Sequence, residues 1–182
     1  ENVEEKAGYE VNYALNSKVT ASNQEVANQW GPEKAVDGIV NRDAAKPEQS
    51  RWSTEQSTTQ EARTLTLDLG TVKTFSQFVI EWERTNITNF KISVSDTENG
   101  EYKDVYVKEN GKNITSLKSR ISLEEAATGR FVRLTVNGYT LNPGNWQSVS
   151  LYEFKVLGEA ENLSKGAIVK ADGHETDDFT EA

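Results

Sequence analysis

Asp37 and Glu153 are the first residues of this chain whose setting invites chemistry. Asp37 stands against Gly38 in the run Glu33-Lys34-Ala35-Val36-Asp37-Gly38, and Glu153 is embedded in the apolar run Ser150-Leu151-Tyr152-Glu153-Phe154. Glycine reaches positive φ freely, which lets backbone carbonyls in such a turn converge on one point. Carboxylates and carbonyls gathered there are hard oxygen donors of the kind that hold Ca²⁺, which takes about six to eight of them. Spacing alone favours a simpler reading, in which Asp37 caps its own turn and Glu153 pairs with Arg51 or Arg133.

Material for catalysis is scarce. His174 is the only histidine, so neither a Ser-His-Asp arrangement nor a multi-histidine transition-metal site is expected. Cys is absent, which removes thiolate metal sites and any disulfide framework. Gly144 stands alone in Pro143-Gly144-Asn145 and does not make a phosphate-cradling loop. Glu81 and Glu83 flank Trp82. At i and i+2 on one strand face they would lie roughly 7 Å apart, a separation compatible with glycoside hydrolysis. Solvent-facing charges at a strand end are the better reading, so the expectation is binding without catalysis.

A sugar is held by an aromatic face stacked on the C–H side of the ring and by planar polar groups that bridge its hydroxyls. Aromatic residues in loops are therefore the useful signal. Trp52, in Arg51-Trp52-Ser53, and Trp82, in phase with Phe78 and Ile80, read as core. Trp30 (in Asn28-Gln29-Trp30-Gly31-Pro32), Trp146 (in Pro143-Gly144-Asn145-Trp146) and Tyr139 (in Asn137-Gly138-Tyr139) have Pro, Gly and Asn for company and are the candidates for a ligand.

The elements that must position these residues are strands. Leu65-x-Leu67-x-Leu69, Phe78-x-Ile80-x-Trp82, Phe90-x-Ile92-x-Val94, Val132-x-Leu134-x-Val136 and Tyr152-x-Phe154-x-Val156 alternate apolar and polar residues at period two. Residues 104–108 make a sixth such run. Gly70, Asn99-Gly100, Asn110-Gly111 and Gly129 are read as turns between them. No sustained 3.6 period appears, and Glu124-Glu125-Ala126-Ala127 is expected to form one helical turn at most. Many short strands with frequent turn signals predict an all-β sandwich or barrel.

At 182 residues the chain holds one ordinary domain. Its mean hydropathy is −0.69, and 35% of its residues are hydrophobic. The net charge of −9 is concentrated at the ends: residues 1–10 carry −3, residues 159–182 carry −5, and the body 11–158 carries −1. A nearly neutral body has no electrostatic footprint for nucleic acid or anionic lipid and suits an uncharged ligand. No apolar run is long enough to cross a bilayer as a helix and no signal peptide is visible, so no direct membrane insertion is expected.

Four segments in order, Ala35-Val36-Asp37-Gly38, Ser50-Arg51-Trp52-Ser53, Leu67-Asp68-Leu69-Gly70 and the Glu153 strand, resemble the discoidin, or coagulation factor 5/8 type C, domain. The nearest resemblance is to its glycan-binding branch, carbohydrate-binding module family 32, and it covers Asn12 to Gly158. It implies a discoidin-like antiparallel β-sandwich of jelly-roll type and a structural Ca²⁺. Carried over residue by residue, Asp37 and Glu153 would supply carboxylates, Ser50 a hydroxyl or carbonyl, and Lys34 and Val40 main-chain carbonyls. The connection from Gly38 to Ser50 is longer than the family usually shows, which makes Asn41 and Asp43 alternatives to Val40.

The same resemblance puts the sugar in loops at one end of the sandwich, at Trp30, at Glu83-Arg84-Thr85-Asn86, and from Tyr139 to Trp146. Arg84 would donate parallel N–H bonds to vicinal hydroxyls, Asn86 and Asn89 would donate and accept, and Glu83 would accept. Galactose binders of the family use a histidine that this chain lacks, which favours an N-acetylhexosamine such as GlcNAc over galactose. The implied role is a non-catalytic, secreted or cell-surface module that holds an attached bacterial glycoside hydrolase on its glycan substrate as a monomeric unit. A protein-adhesion or spacer domain of the same fold is the rival. Residues 1–10 read as a linker, 11–158 as the module, and 159–182 as a linker and the start of a possible second module. That last reading rests on Asn162 to Ala171 echoing Asn12 to Ala21, with Asn, Val and Ala shared at three of ten positions. The sequons at Asn86, Asn113 and Asn162 are read as plain polar loop residues.

Overall fold

The computed structural model of the chain describes residues 10–26, 29–43, 50–141 and 147–160. Its strands are β1 (Glu10–Asn12), β2 (Lys18–Ala21), β3 (Trp52–Ser53), β4 (Arg63–Trp82), β5 (Ile87–Ser95), β6 (Lys103–Lys108), β7 (Lys118–Tyr139) and β8 (Ser150–Glu159), with a single 3-10 turn at Pro32–Ala35. Every pairing is antiparallel. The alternating runs form strands because each puts apolar residues, many of them β-branched or aromatic, on one buried face.

β4 and β7 make the sandwich. They pair with each other along both of their halves, with a register break between Asp68 and Lys73. There Gly70 takes φ +82, and its N–H is held by Asp68 Oδ1 at 2.9 Å. Before the break β4 pairs with β2, and the second half of β7 pairs with β5, which carries β6. After the break β4 pairs with β8, which carries β1 and β3. The continuous sheet thus folds into two layers, the antiparallel β-sandwich expected from the discoidin resemblance.

The core lies between the layers. Leu65, Leu67, Phe90, Ile92, Leu134 and Val136 come from one, and Phe78, Ile80, Trp82, Leu151, Phe154 and Val156 from the other. An edge-on ring contact at Trp82–Phe90 (5.4 Å) joins the layers, and another at Phe75–Phe78 (5.6 Å) lies within the second. Trp52 and Trp82 are core, as expected, and the indole N–H of Trp82 donates to Ser119 Oγ at 2.9 Å.

Two local expectations are corrected. Glu124 to Ala127 is strand within β7, not a helical turn, because Ala127 stays paired to Phe75. Gly129 is also inside β7. A Cβ there would meet Val94 Cβ at 3.2 Å and Ser95 O at 3.3 Å, so this glycine serves close strand packing instead of a turn. The tail read as the start of a second module lies outside the described residues.

Candidate functional site

Three oxygen-bearing side chains meet where the first long loop crosses the outer face of β8. Strand alternation sends Phe154 inward, so Glu153 faces outward, yet the crossing segment covers it completely: its exposure is 0%. Gly38, at φ +81, turns its N–H onto Glu153 Oε1 at 2.7 Å. Asp37 Oδ1 accepts from the N–H of Ile39 at 2.9 Å, and its Oδ2 accepts from the Ser50 hydroxyl. The second carboxylate oxygen of Glu153 is buried with no hydrogen-bond partner. Burial, and then the negative charge of nearby Asp37, push the Glu153 carboxyl up to about 7 against the opposing effect of the Gly38 N–H.

Two adjacent carboxylates, one of them with an orphaned buried oxygen, are what a hard cation would satisfy. Among the described residues no group of three or more His, Cys, Asp or Glu comes together, so hydroxyl and carbonyl oxygens must complete any donor set. Lys34 lies in the 3-10 turn just before Asp37, and Val40 lies just after it, both within the crossing segment. The carboxylates of Asp37 and Glu153 and the Ser50 hydroxyl are of the hard-oxygen kind a calcium ion takes. The alternative pairing of Glu153 with Arg51 or Arg133 is not made: Arg51 turns to Glu83 and Arg133 to Thr66.

Next to Ser50 a polar and aromatic rim begins. Trp52 points into the core, so alternation turns Arg51 the other way. Its guanidinium lies over the Trp30 ring, 3.9 Å from the centroid, and its Nε is 3.4 Å from Glu83 Oε2. Glu83 Oε1 lies 4.0 Å from Arg84, whose side chain is 48% exposed. The backbone fixes this arrangement as well: Ser53 N–H donates to Trp30 O (3.2 Å), and Glu83 N–H to Ser150 O (3.0 Å). Trp30, Arg51, Glu83 and Arg84 therefore form one cluster at the end of the sandwich where β4 finishes and β8 begins. An aromatic plane beside a fixed carboxylate and two guanidinium groups can stack on a pyranose and bridge its hydroxyls.

Not every expected site residue joins it. Tyr139 is 0% exposed, and its hydroxyl donates to Glu61 O at 2.8 Å, so it is a core residue with no face for a ligand. Asn86 is 5% exposed and spends its amide nitrogen on Thr140 O (3.0 Å) and Ser148 O (2.9 Å); it ties two loops together. Asn89 is half-buried, with its carbonyl oxygen accepting from Gly111 N–H at 2.9 Å. Trp146 lies outside the described residues. Glu81 is not a solvent-facing charge: it is 6% exposed and bridged by Arg42 (3.0 Å) and Lys118 (2.8 Å). Arg51 and Arg42 are the members that sequence reasoning left out of the site. The inward phase of Trp52 was a signal for Arg51, whereas nothing local marked Arg42, which also donates to Trp82 O (2.6 Å) and lies over the Tyr152 ring (4.9 Å).

The sandwich thus gathers polar and aromatic side chains at one loop end, with the oxygen cluster of Asp37, Ser50 and Glu153 beneath. The family model of the F5/8 type C domain matches residues 18–154, and the chain belongs to that family, whose domain is not catalytic. No curated protein sequence matches the chain. Among solved structures it is similar to chitosan-binding module 2 of a chitosanase/glucanase from Paenibacillus sp. IK-5, in complex with chitotriose. Identity is 25% and the TM-score 0.64, over 81% of this chain and 100% of that one. Module 1 of the same enzyme gives 24% identity and a TM-score of 0.64, over 81% of this chain and 99% of that one. The family 32 module of NanJ from C. perfringens, in complex with galactose, gives 18% and 0.61, over 82% of this chain and all of that one.

Proposed function

We propose that this domain is a non-catalytic carbohydrate-binding module that recognises terminal sugars, N-acetylhexosamine such as GlcNAc or galactose-type, and holds an attached glycoside hydrolase on complex glycans outside the bacterial cell. The observation that carries the reading is the Trp30–Arg51–Glu83–Arg84 rim: an aromatic ring and a carboxylate fixed by the same guanidinium, with a second, exposed guanidinium alongside. Membership of the F5/8 type C family and likeness to modules solved with chitotriose and galactose support it. A shallow rim gains little beyond the cost of association, so a Kd on the order of 0.1–1 mM is expected. A structural Ca²⁺ held by Asp37, Glu153, Ser50 and the carbonyls of Lys34 and Val40 would neutralise the buried carboxylates and tie the crossing segment to β8.

A glycan array of the wild-type domain and of Trp30→Ala tests this. Wild type should bind one class of terminal sugar, and Trp30→Ala should lose at least about tenfold in affinity while melting as a folded protein. A blank array from folded wild-type protein sinks the reading in favour of an adhesion or spacer domain.

A further inference from the structure

A groove of about 440 Å³ lies between β6 and the first residues of β7, bordered by the loop 109–117. Among the described residues β5 pairs with β7 only from Phe131 onward, so the first half of β7 presents an open edge there. The lining includes Lys108, Lys112, Lys118 and Arg120, and no acidic residue. In a body (residues 11–158) of net charge −1 that is a local concentration of positive charge.

Among the described residues, only Lys118 of these four pairs with a carboxylate. The Lys108 ammonium is half-buried and donates to three neutral oxygens: Thr88 O, Asn110 Oδ1 (2.8 Å) and Lys112 O (2.6 Å). Lys118 and Arg42 share the single carboxylate of Glu81, which leaves one positive charge in excess. Arg120 meets the neutral Gln77 at 3.4 Å. Basic residues along a strand edge guard it against pairing, and that accounts for Lys118 and Arg120, which alternate onto the outer face beside Glu81 and Gln77. It does not account for Lys112, which is exposed in the loop; Lys108 has its own task, tying that loop with all three of its N–H donors.

We infer that this groove binds a segment of acidic polysaccharide, one carrying carboxylate or sulfate groups. The polar lining favours a glycan over an acidic peptide, since Asn110, Asn113, Thr115 and Ser116 offer amides and hydroxyls beside the half-buried Tyr106 ring. The loop is joined to the rim's end of the sandwich by Trp82 N–H to Leu117 O at 2.8 Å. A chain held at the groove therefore lies beside the rim, yet uses different residues. The inference stands apart from the neutral-sugar reading, and the two fail separately.

The test measures affinity of the full chain for polygalacturonate (carboxylate), heparin (sulfate and carboxylate), neutral dextran and poly-glutamate. At least one acidic polysaccharide should bind at about 50 mM salt and weaken about tenfold by about 200 mM, as exposed charge pairs do. Binding of polygalacturonate as well as heparin assigns carboxylate recognition; heparin alone assigns sulfate. The double variant K112E/R120E, altered only at exposed side chains, should lose about tenfold or more, K112R/R120K should retain binding, and Trp30→Ala should bind acidic polymer as wild type does. The inference is overturned if neither polymer binds, if K112E/R120E binds as tightly as wild type, or if poly-glutamate binds as tightly as the polysaccharides.

Discussion

Removing the charge of Glu153 should stabilise the calcium-free domain at alkaline pH. Its carboxyl is fully buried, and its pKa is raised from 4.5 to about 7 by burial first and by Asp37 second. A carboxyl whose folded pKa exceeds its unfolded one holds its proton longer in the folded state. Its contribution is therefore complete below pH 4.5 and lost as pH climbs to about 7, beyond which a constant penalty remains. A shift of this size corresponds to about 3 kcal/mol, or roughly 6–12 °C in Tm for a chain of this length. Glu153→Gln keeps an acceptor for the Gly38 N–H and carries no charge. In chelator, denaturation of wild type and Glu153→Gln should give curves that coincide near pH 4.5 and diverge by about 3 kcal/mol at pH 8, with the variant more stable. Subtracting the curves cancels every other titrating group except Asp37 and Lys155, which face Glu153 directly. Excess Ca²⁺ should then raise wild type to or above the variant and leave the variant unmoved. Parallel pH curves in chelator would refute the buried-charge reasoning, and a wild type indifferent to Ca²⁺ would refute the ion.

Residues that sequence reasoning assigned to the sugar should instead report on stability. Asn86→Ala leaves the carbonyls of Thr140 and Ser148 without their donor, which should cost about 2–3 kcal/mol; urea denaturation measures this, and Trp30-dependent sugar affinity should not change once the protein is folded. Tyr139→Phe removes one neutral hydrogen bond to Glu61 O and should cost about 1 kcal/mol with glycan binding intact. Loss of sugar affinity in a fully folded Tyr139→Phe would put this residue back in the site.

The strands were legible because their apolar positions repeat at period two, and the phase of that repeat correctly sent Trp82 inward. The same phase fails to tell a loop aromatic from a core one. Tyr139 closes β7 inside the sandwich, and its Asn-Gly context belongs to the strand's own end. Asn86 misled for a related reason: an amide can serve a sugar or a pair of loop carbonyls equally well, and only the tertiary arrangement chooses. The oxygen cluster was visible through Asp37-Gly38 and the isolated Glu153, because a carboxylate inside an apolar strand needs a partner wherever it lands. The long-range partners of Glu81 carried no local signal. Arg42 and Lys118 reach it from distant parts of the chain.

The cluster and the rim are one mechanical unit, because Ser50 and Arg51 are consecutive. Ser50 is anchored to Asp37, and Arg51 holds both Trp30 and Glu83. A few residues beyond Asp37, Arg42 clamps Glu81, the direct cross-strand partner of Glu153. Two carboxylates set opposite each other on adjacent strands repel unless each is satisfied separately. Here Glu81 is neutralised by Arg42 and Lys118, whereas Glu153 has only the Gly38 N–H and a protonation or a cation to balance it. An ion there would thus fix the segment that carries Ser50, and through Ser50 the guanidinium on which Trp30 rests. Chelation should accordingly weaken sugar affinity by loosening the rim while leaving the order of preference among sugars unchanged, since no rim side chain is itself a donor to the cluster. A changed order of preference would mean that the cation touches the ligand, and would move it from scaffold to binding site.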